Sequence, residues 1–428
     1  MNHYIFLVLT AFSLVFFNGC SDEEATAPDP LTLINIIVKT SNDSLAVRDA
    51  NVVLYNADNG EAVFRTFSAA DGSAKFEAAL SGNFYVRISA QGFKEIPEGS
   101  VSPVPFSVSA GQLFARTYHM NTMSGAFGRI DGTITPKLPG FLIVAKSTST
   151  SLEYHTYSGP EGYFVLYNIP YGTYMVNAVK SGYHLDAQPQ VILSSSSFYE
   201  SIQMSLSEVS GSSLTGKVTF LSALNGIVDV SLLDQTSLSV INGLTTRIDS
   251  NRNYAVYNIP NGNYIAWASY ENDGYVMDPD WLFKNPGALE ISFTGAGKTL
   301  DFSVTDAVTI TSPTNSAAVV LPAPADSVIP TFYWDSYPQA KEYIIEVRDV
   351  NGNLIWGGFT ESGVINHPQI PKEQNSVQFN FDGSASLTLQ KGNVYQWRIY
   401  VDDDAALNIQ TLLSSSENLM GLFIIPSE

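Results

Sequence analysis

The sequence predicts an all-β protein of tandem β-sandwich domains arranged as a rod. Three observations predict it: a segment that recurs at 90-residue intervals, strict apolar alternation after each recurrence, and a composition that suits strands and turns. Of the 428 residues, 45% are hydrophobic, 12% aromatic and only 14% charged, with abundant Gly, Tyr and Phe. At ~100 to 150 residues per domain the length implies three or four cores. The 41 acidic side chains against 21 basic ones leave a net charge of -20, which repels phosphate backbones and anionic lipid. Nucleic-acid binding is thereby excluded, whereas sugars, cations and proteins remain eligible partners.

The repeat carries the domain count. Gly162 to Tyr174 aligns with Arg252 to Tyr264, and Tyr167-Asn168-Ile169-Pro170 is identical to Tyr257-Asn258-Ile259-Pro260. Gly72 to Phe84 is a weaker first copy. The landmark glycines Gly82, Gly172 and Gly262 stand 90 residues apart, so three copies of one domain are implied. Each copy opens on a turn, Asp71-Gly72, Glu161-Gly162 or Asn251-Arg252, with Asn251 expected to take the left-handed backbone in the third. After the second glycine, Phe84, Val86 and Ile88 share one face, with Asn83, Tyr85 and Arg87 on the other, as in a half-buried strand. Tyr174, Val176 and Ala178, then Tyr264, Ala266 and Ala268, repeat the core face. The run from Ile169 to Tyr174 also looks like a tyrosine corner. Phe84 lacks the hydroxyl, so the first copy must close its corner differently.

The first twenty residues address the chain. Tyr4 to Phe17 is an apolar run of about 14 residues, too short for a ~20-residue span and suited to a signal-peptide core. Phe17-Asn18-Gly19-Cys20 resembles a lipobox, although Phe17 stands where Leu is usual and no Lys or Arg precedes the apolar run. The resemblance implies that Cys20 is diacylated and becomes the mature N-terminus. Cys20 is the only cysteine, so a disulfide within the chain is impossible. Ser21-Asp22-Glu23-Glu24 looks like the signal that sends some lipoproteins to the outward face of a Gram-negative outer membrane. Residues 1–19 are then the leader and 20–30 a lipidated tether.

The order of turn, strand, Gly-x-Tyr corner, strand and Gly92-Phe93, Gly182-Tyr183 or Gly274-Tyr275 resembles the carboxypeptidase regulatory-like domain, a prealbumin-like sandwich. The resemblance implies three such domains, at 31–121, 122–208 and 209–306. The name refers to an accessory sandwich and implies no zinc peptidase. Residues 307–428 break the repeat. Their early Trp334 and late Tyr395-Gln396-Trp397 resemble a fibronectin type III-like domain, in which Trp334 is core and Trp397 core or core edge. Linkers near Asn121 to Gly125, Ser207 to Ser213 and Asp306 to Pro313 are short, which implies a semi-rigid rod of about 120 to 150 Å.

No catalytic constellation is legible. No Gly-x-Ser-x-Gly elbow occurs, and the histidines His3, His119, His155, His184 and His367 are scattered without metal-ligand spacing. No catalytic residue, metal ligand or cofactor is therefore expected. Asp278 with Asp280, and Asp402-Asp403-Asp404, suit turns or a cation equally by spacing alone. Trp267 aligns with Arg87 and Asn177, opposite the core face, and Tyr275, Trp281 and Phe283 follow in a Pro-rich loop. These four aromatics are the candidate ligand-binding residues. Either they stack on sugar rings, or Trp267 packs under the loop or against the next domain. Trp356 follows a turn and is expected to be exposed or a domain contact. Two functional readings result: a non-catalytic surface lipoprotein serving as a stalk or adhesive module with a protein partner, or a carbohydrate-binding accessory of a glycan-uptake system.

Overall fold

A computed structural model describes residues 30–97, 103–150, 152–221, 226–271, 274–314, 317–318, 329–349, 353–360, 366, 368–391, 393–403 and 411–425. The leader and Cys20 lie outside the described residues. The described chain is all-β, with a single short α-helix, Pro279–Lys284, among the described residues.

The three repeats share one topology. In the first, Thr32–Thr40 pairs antiparallel with Ser73–Ala78 and parallel with Leu113–Met120. Phe127–Thr135 sits likewise between Tyr163–Pro170 and Tyr199–Glu208, and Ser212–Phe220 between Asn253–Ile259 and Phe302–Asp306. The second sheet runs in the order Ala62–Phe67, Asn51–Asn56, Gly82–Ser89 and Phe106–Val108, and this order recurs in both later copies. The predicted core faces hold: Phe84, Val86, Ile88, Tyr174, Val176, Ala178, Tyr264, Ala266 and Ala268 are all buried. Tyr174 and Tyr264 donate their hydroxyls to Pro170 O at 2.9 Å and Pro260 O at 2.8 Å, closing two tyrosine corners. In the first copy Leu80 occupies the aligned proline position, and its carbonyl accepts from Thr32 Oγ1 at 2.6 Å instead. The left-handed residue of the third opening turn is Arg252 itself (φ 66°), not Asn251. Asp249 fixes that turn by accepting from the Asn251 and Asn253 amides.

Residues 310 onward form a separate sandwich, with Trp334, Trp356 and Trp397 buried together. Trp356 is thus interior rather than exposed, because its indole N–H has a partner inside the domain, Asp382 Oδ1 at 3.0 Å.

The rod does not hold, because the first and third sandwiches touch. Asn242 of the third pairs through its amide with the Ala62 backbone of the first, accepting from N at 3.0 Å and donating to O at 2.7 Å. Its own carbonyl accepts from Ser181 N of the second at 3.2 Å. One residue therefore ties three domains. Around it the faces opposite the cores converge: Tyr55 stacks on Tyr85 at 4.8 Å, Tyr157 meets Tyr55 edge-on at 5.6 Å, and Tyr85 and Tyr270 share a hydroxyl hydrogen bond of 3.1 Å. Tyr157 donates to Val240 O at 2.5 Å. Tyr85, on the supposedly open side of its strand, is 3% exposed. Short linkers allow folding back as readily as extension, and burying these phenol rings decides between the two.

Neighbouring copies are joined through the motif that the second and third repeats share. Asn168 and Asn258 both sit at positive φ (56° and 57°) at matching register shifts between Tyr163–Pro170 or Asn253–Ile259 and the adjoining strand. Asn168 Oδ1 accepts from Gly92 N at 2.8 Å, and its amide donates to Ala90 O and Phe93 O at 2.9 and 2.7 Å. Ninety residues on, Asn258 O accepts from Gly182 N at 2.7 Å while its side chain stays exposed. Asn168→Ala strands three partners, one buried and two partly buried, and forces alanine into the left-handed region, a loss of about 2 to 4 kcal/mol. Asn258→Ala carries only the backbone strain, about 1 kcal/mol. Denaturant unfolding of the two variants checks this asymmetry, and equal losses contradict it.

Candidate functional site

A cluster of titratable side chains lies where the three repeats meet. Arg87 is surrounded by Tyr85, Tyr55, Tyr270 and Glu95, and His155 of the second repeat faces it. Burial raises the Tyr85 phenol, and it raises the Tyr157 and Tyr270 phenols far above their ordinary range. Burial also raises the Glu95 carboxyl, against the pull of Arg87. Such phenols are poor nucleophiles and poor bases at neutral pH, and their hydroxyls are committed across domain boundaries. The cluster reads as a joint rather than a reaction centre.

His155 reports on that joint. Burial, and then the nearby Arg87, lower its imidazole to about 4. The unfolded chain titrates near 6.5 and so takes up the proton first. The stability His155 contributes is full above about 6.5 and is lost as pH falls toward 4. An NMR titration should place its imidazole near 4, and a midpoint near 6.5 would mean that the joint is open.

The predicted aromatics divide. Trp267 and Phe283 line one cleft of about 460 Å³ between the third and fourth sandwiches. The indole of Trp267 packs against the third core, and its N–H is donated to Ser269 O at 2.8 Å. Phe283 is 50% exposed, on the helix Pro279–Lys284. Trp281, on the same helix, leans on Phe302 with ring centroids 5.8 Å apart. Tyr275 does not join them: it is buried edge-on against Phe220 and offers no open ring. A three-residue strand, Tyr275–Met277, explains this, because it turns Tyr275 and Met277 inward.

The acidic residues of the loop have structural tasks. The Asp278 carboxylate caps the helix by accepting from Asp280 N at 3.1 Å, with Pro279 in its first turn, and Asp280 pairs with Lys284 one turn on. Asp402 is fully buried, and Asp404 lies outside the described residues. Among the described residues no three His, Cys, Asp or Glu side chains gather at metal-binding distance.

The opposite wall of the cleft comes from the fourth sandwich, which sequence reasoning missed. Arg398 donates to Glu271 Oε2 at 3.3 Å and lies over the Tyr400 ring at 5.7 Å. Glu417 and Leu412 complete that wall. The domains are held together by Ser414 Oγ to Asp306 O at 2.6 Å and by Leu419 N to Glu271 O at 3.2 Å. Burial acts against the Arg398 charge, but Tyr400, Glu271 and Glu346 outweigh it, so the guanidinium is held above its usual value. Alternation along Val394–Asp402 places Gln396, Arg398 and Tyr400 opposite the core, which is the available signal. What covers that face is a long-range contact that alternation does not encode.

No family model matches the chain, and no curated protein matches it. Among solved structures it is similar to the Bacillus anthracis TIE protein, at 11% identity and TM-score 0.19 over 65% of this chain and 51% of that one. It thus spans about half the length of that protein. A streptococcal ancillary pilin matches at 11% identity and TM-score 0.18, over 64% of this chain and 98% of the pilin. A DUF3823 family protein from Bacteroides uniformis matches at 11% identity and TM-score 0.21, over 50% of this chain and all of that one. At these scores the likeness carries no functional argument.

Proposed function

We propose that this protein is a non-catalytic cell-surface lipoprotein, anchored through Cys20 in a bacterial outer membrane with its sandwiches facing outward, and acting as a structural or adhesive module. The observation that supports this most is the use made of the faces opposite the cores. Arg87, Asn177 and Trp267 are aligned in the repeat, and all three turn toward another domain: Arg87 into the joint, Asn177 into a cavity between the second and third repeats, and Trp267 into the cleft with the fourth. The same register position of each repeat thus serves a boundary between domains, and what it forms there differs from copy to copy. We further assign the repeats to the carboxypeptidase regulatory-like class and the last sandwich to the fibronectin type III-like class, on the motifs given above. The result is a braced platform that carries the fourth sandwich.

The anchor is tested by fractionating cells that express the wild-type chain or Cys20→Ser. Wild-type protein should sediment with outer membrane, take up labelled fatty acid and be cut by protease added to intact cells. Cys20→Ser should lose the label and the membrane association. Labelled, membrane-bound Cys20→Ser, or unlabelled wild-type protein, contradicts the reading.

A further inference from the structure

We propose that the cleft between the third and fourth sandwiches is a binding site for a neutral saccharide. The proposal goes beyond the surface role above and rests on the chemistry of the two facing walls.

One wall is apolar. The indole N–H of Trp267 is already engaged by Ser269 O, so the ring presents only apolar surface to the cleft. Phe283 stands half exposed at the edge. The other wall is polar but electrically balanced. Arg398 is paired with Glu271 and also faces Glu346, so its cationic charge is neutralised in place. Glu417, itself buried, lines the same side.

This combination discriminates among ligands. A phosphate or carboxylate ligand would meet a guanidinium already matched by acids, on a chain with a net charge of -20. An acyl chain would satisfy the Trp267 side but strip water from the carboxylates and the guanidinium without replacing it. A pyranose fits both walls. Its C–H face lies on an aromatic ring, and its hydroxyls donate to carboxylates and accept from Arg398 and Tyr400. The volume of about 460 Å³ lies within the span of small-molecule sites. Because the walls belong to different sandwiches, a bound sugar also bridges the third domain to the fourth.

The test is calorimetric titration of the leaderless chain, residues 21–428, with neutral hexasaccharides of glucose, xylose and mannose, and with polygalacturonate as the anionic comparison. At least one neutral hexasaccharide should bind with Kd between ~10 μM and ~1 mM. Phe283→Ala and Glu271→Gln should each weaken it ~10-fold or more, and polygalacturonate should not bind. Phe283 is half exposed, so Phe283→Ala should melt at the parent temperature, and its loss of binding then reports the cleft rather than the fold. No binding of any neutral hexasaccharide at ~10 mM, preference for polygalacturonate, or affinity unchanged in both variants overturns the proposal. The Cys20→Ser fractionation is read separately, so failure here leaves the anchoring result standing.

Discussion

The arrangement of this molecule depends on an asparagine held in the left-handed backbone region at the edge of each later repeat. At Asn168 and again at Asn258 the strand shifts register against its neighbour and turns its polar groups onto the glycine-led loop of the preceding sandwich. Asparagine is suited to the place because it tolerates positive φ better than other side chains and still offers hydrogen bonds. Two such joints, made by the same motif 90 residues apart, set both domain-to-domain steps. The third sandwich then returns to the first, where the Asn242 amide adds to the Ala62 backbone in the manner of a short ladder. The phenol-rich faces of Tyr55, Tyr85 and Tyr157 are enclosed as a result, and Arg87 and His155 are enclosed with them.

This gives the internal repeat a physical meaning. Tyr-Asn-Ile-Pro stands at a joint to the preceding sandwich in both later copies, reached by the Tyr167 and Asn168 side chains in the second and by the Asn258 backbone carbonyl in the third. The first copy carries Glu77-Ala78-Ala79-Leu80 at the aligned place, its strand pairs without the register shift, and no described domain precedes it. Individual sandwiches were legible for the usual reasons: alternation marked the core faces, and Gly-x-Tyr marked the corners. Even the divergence of the first corner could be foreseen from Phe84. The relation between sandwiches was not legible, since a Tyr facing away from its own core has the same pattern whether it meets water or another domain. Tyr85 and Arg87 read as a solvated face, and both lie in the joint where the three repeats meet, with Tyr85 only 3% exposed.

The candidate site shows the same division. Trp267 and Phe283 were found because the repeat alignment exposed what was unusual about the third copy. Tyr275 belonged to the same sequence cluster and yet is core, because a short strand can turn adjacent residues to opposite sides. Arg398, Tyr400 and Glu417 lie more than a hundred residues away from Trp267, and nothing local ties them to it. Sites formed between domains are read poorly from sequence, since each wall keeps the ordinary alternation of its own strand.

Small-angle scattering from the leaderless chain tests the central claim, that the three repeats close on one another. A closed body bearing a docked fourth sandwich predicts a radius of gyration of about 22 to 28 Å, whereas four sandwiches in line would give about 40 Å. A value in the lower range that rises on Asn242→Ala would support closure by the Asn242 bridge. A value near 40 Å for the wild-type chain would contradict it.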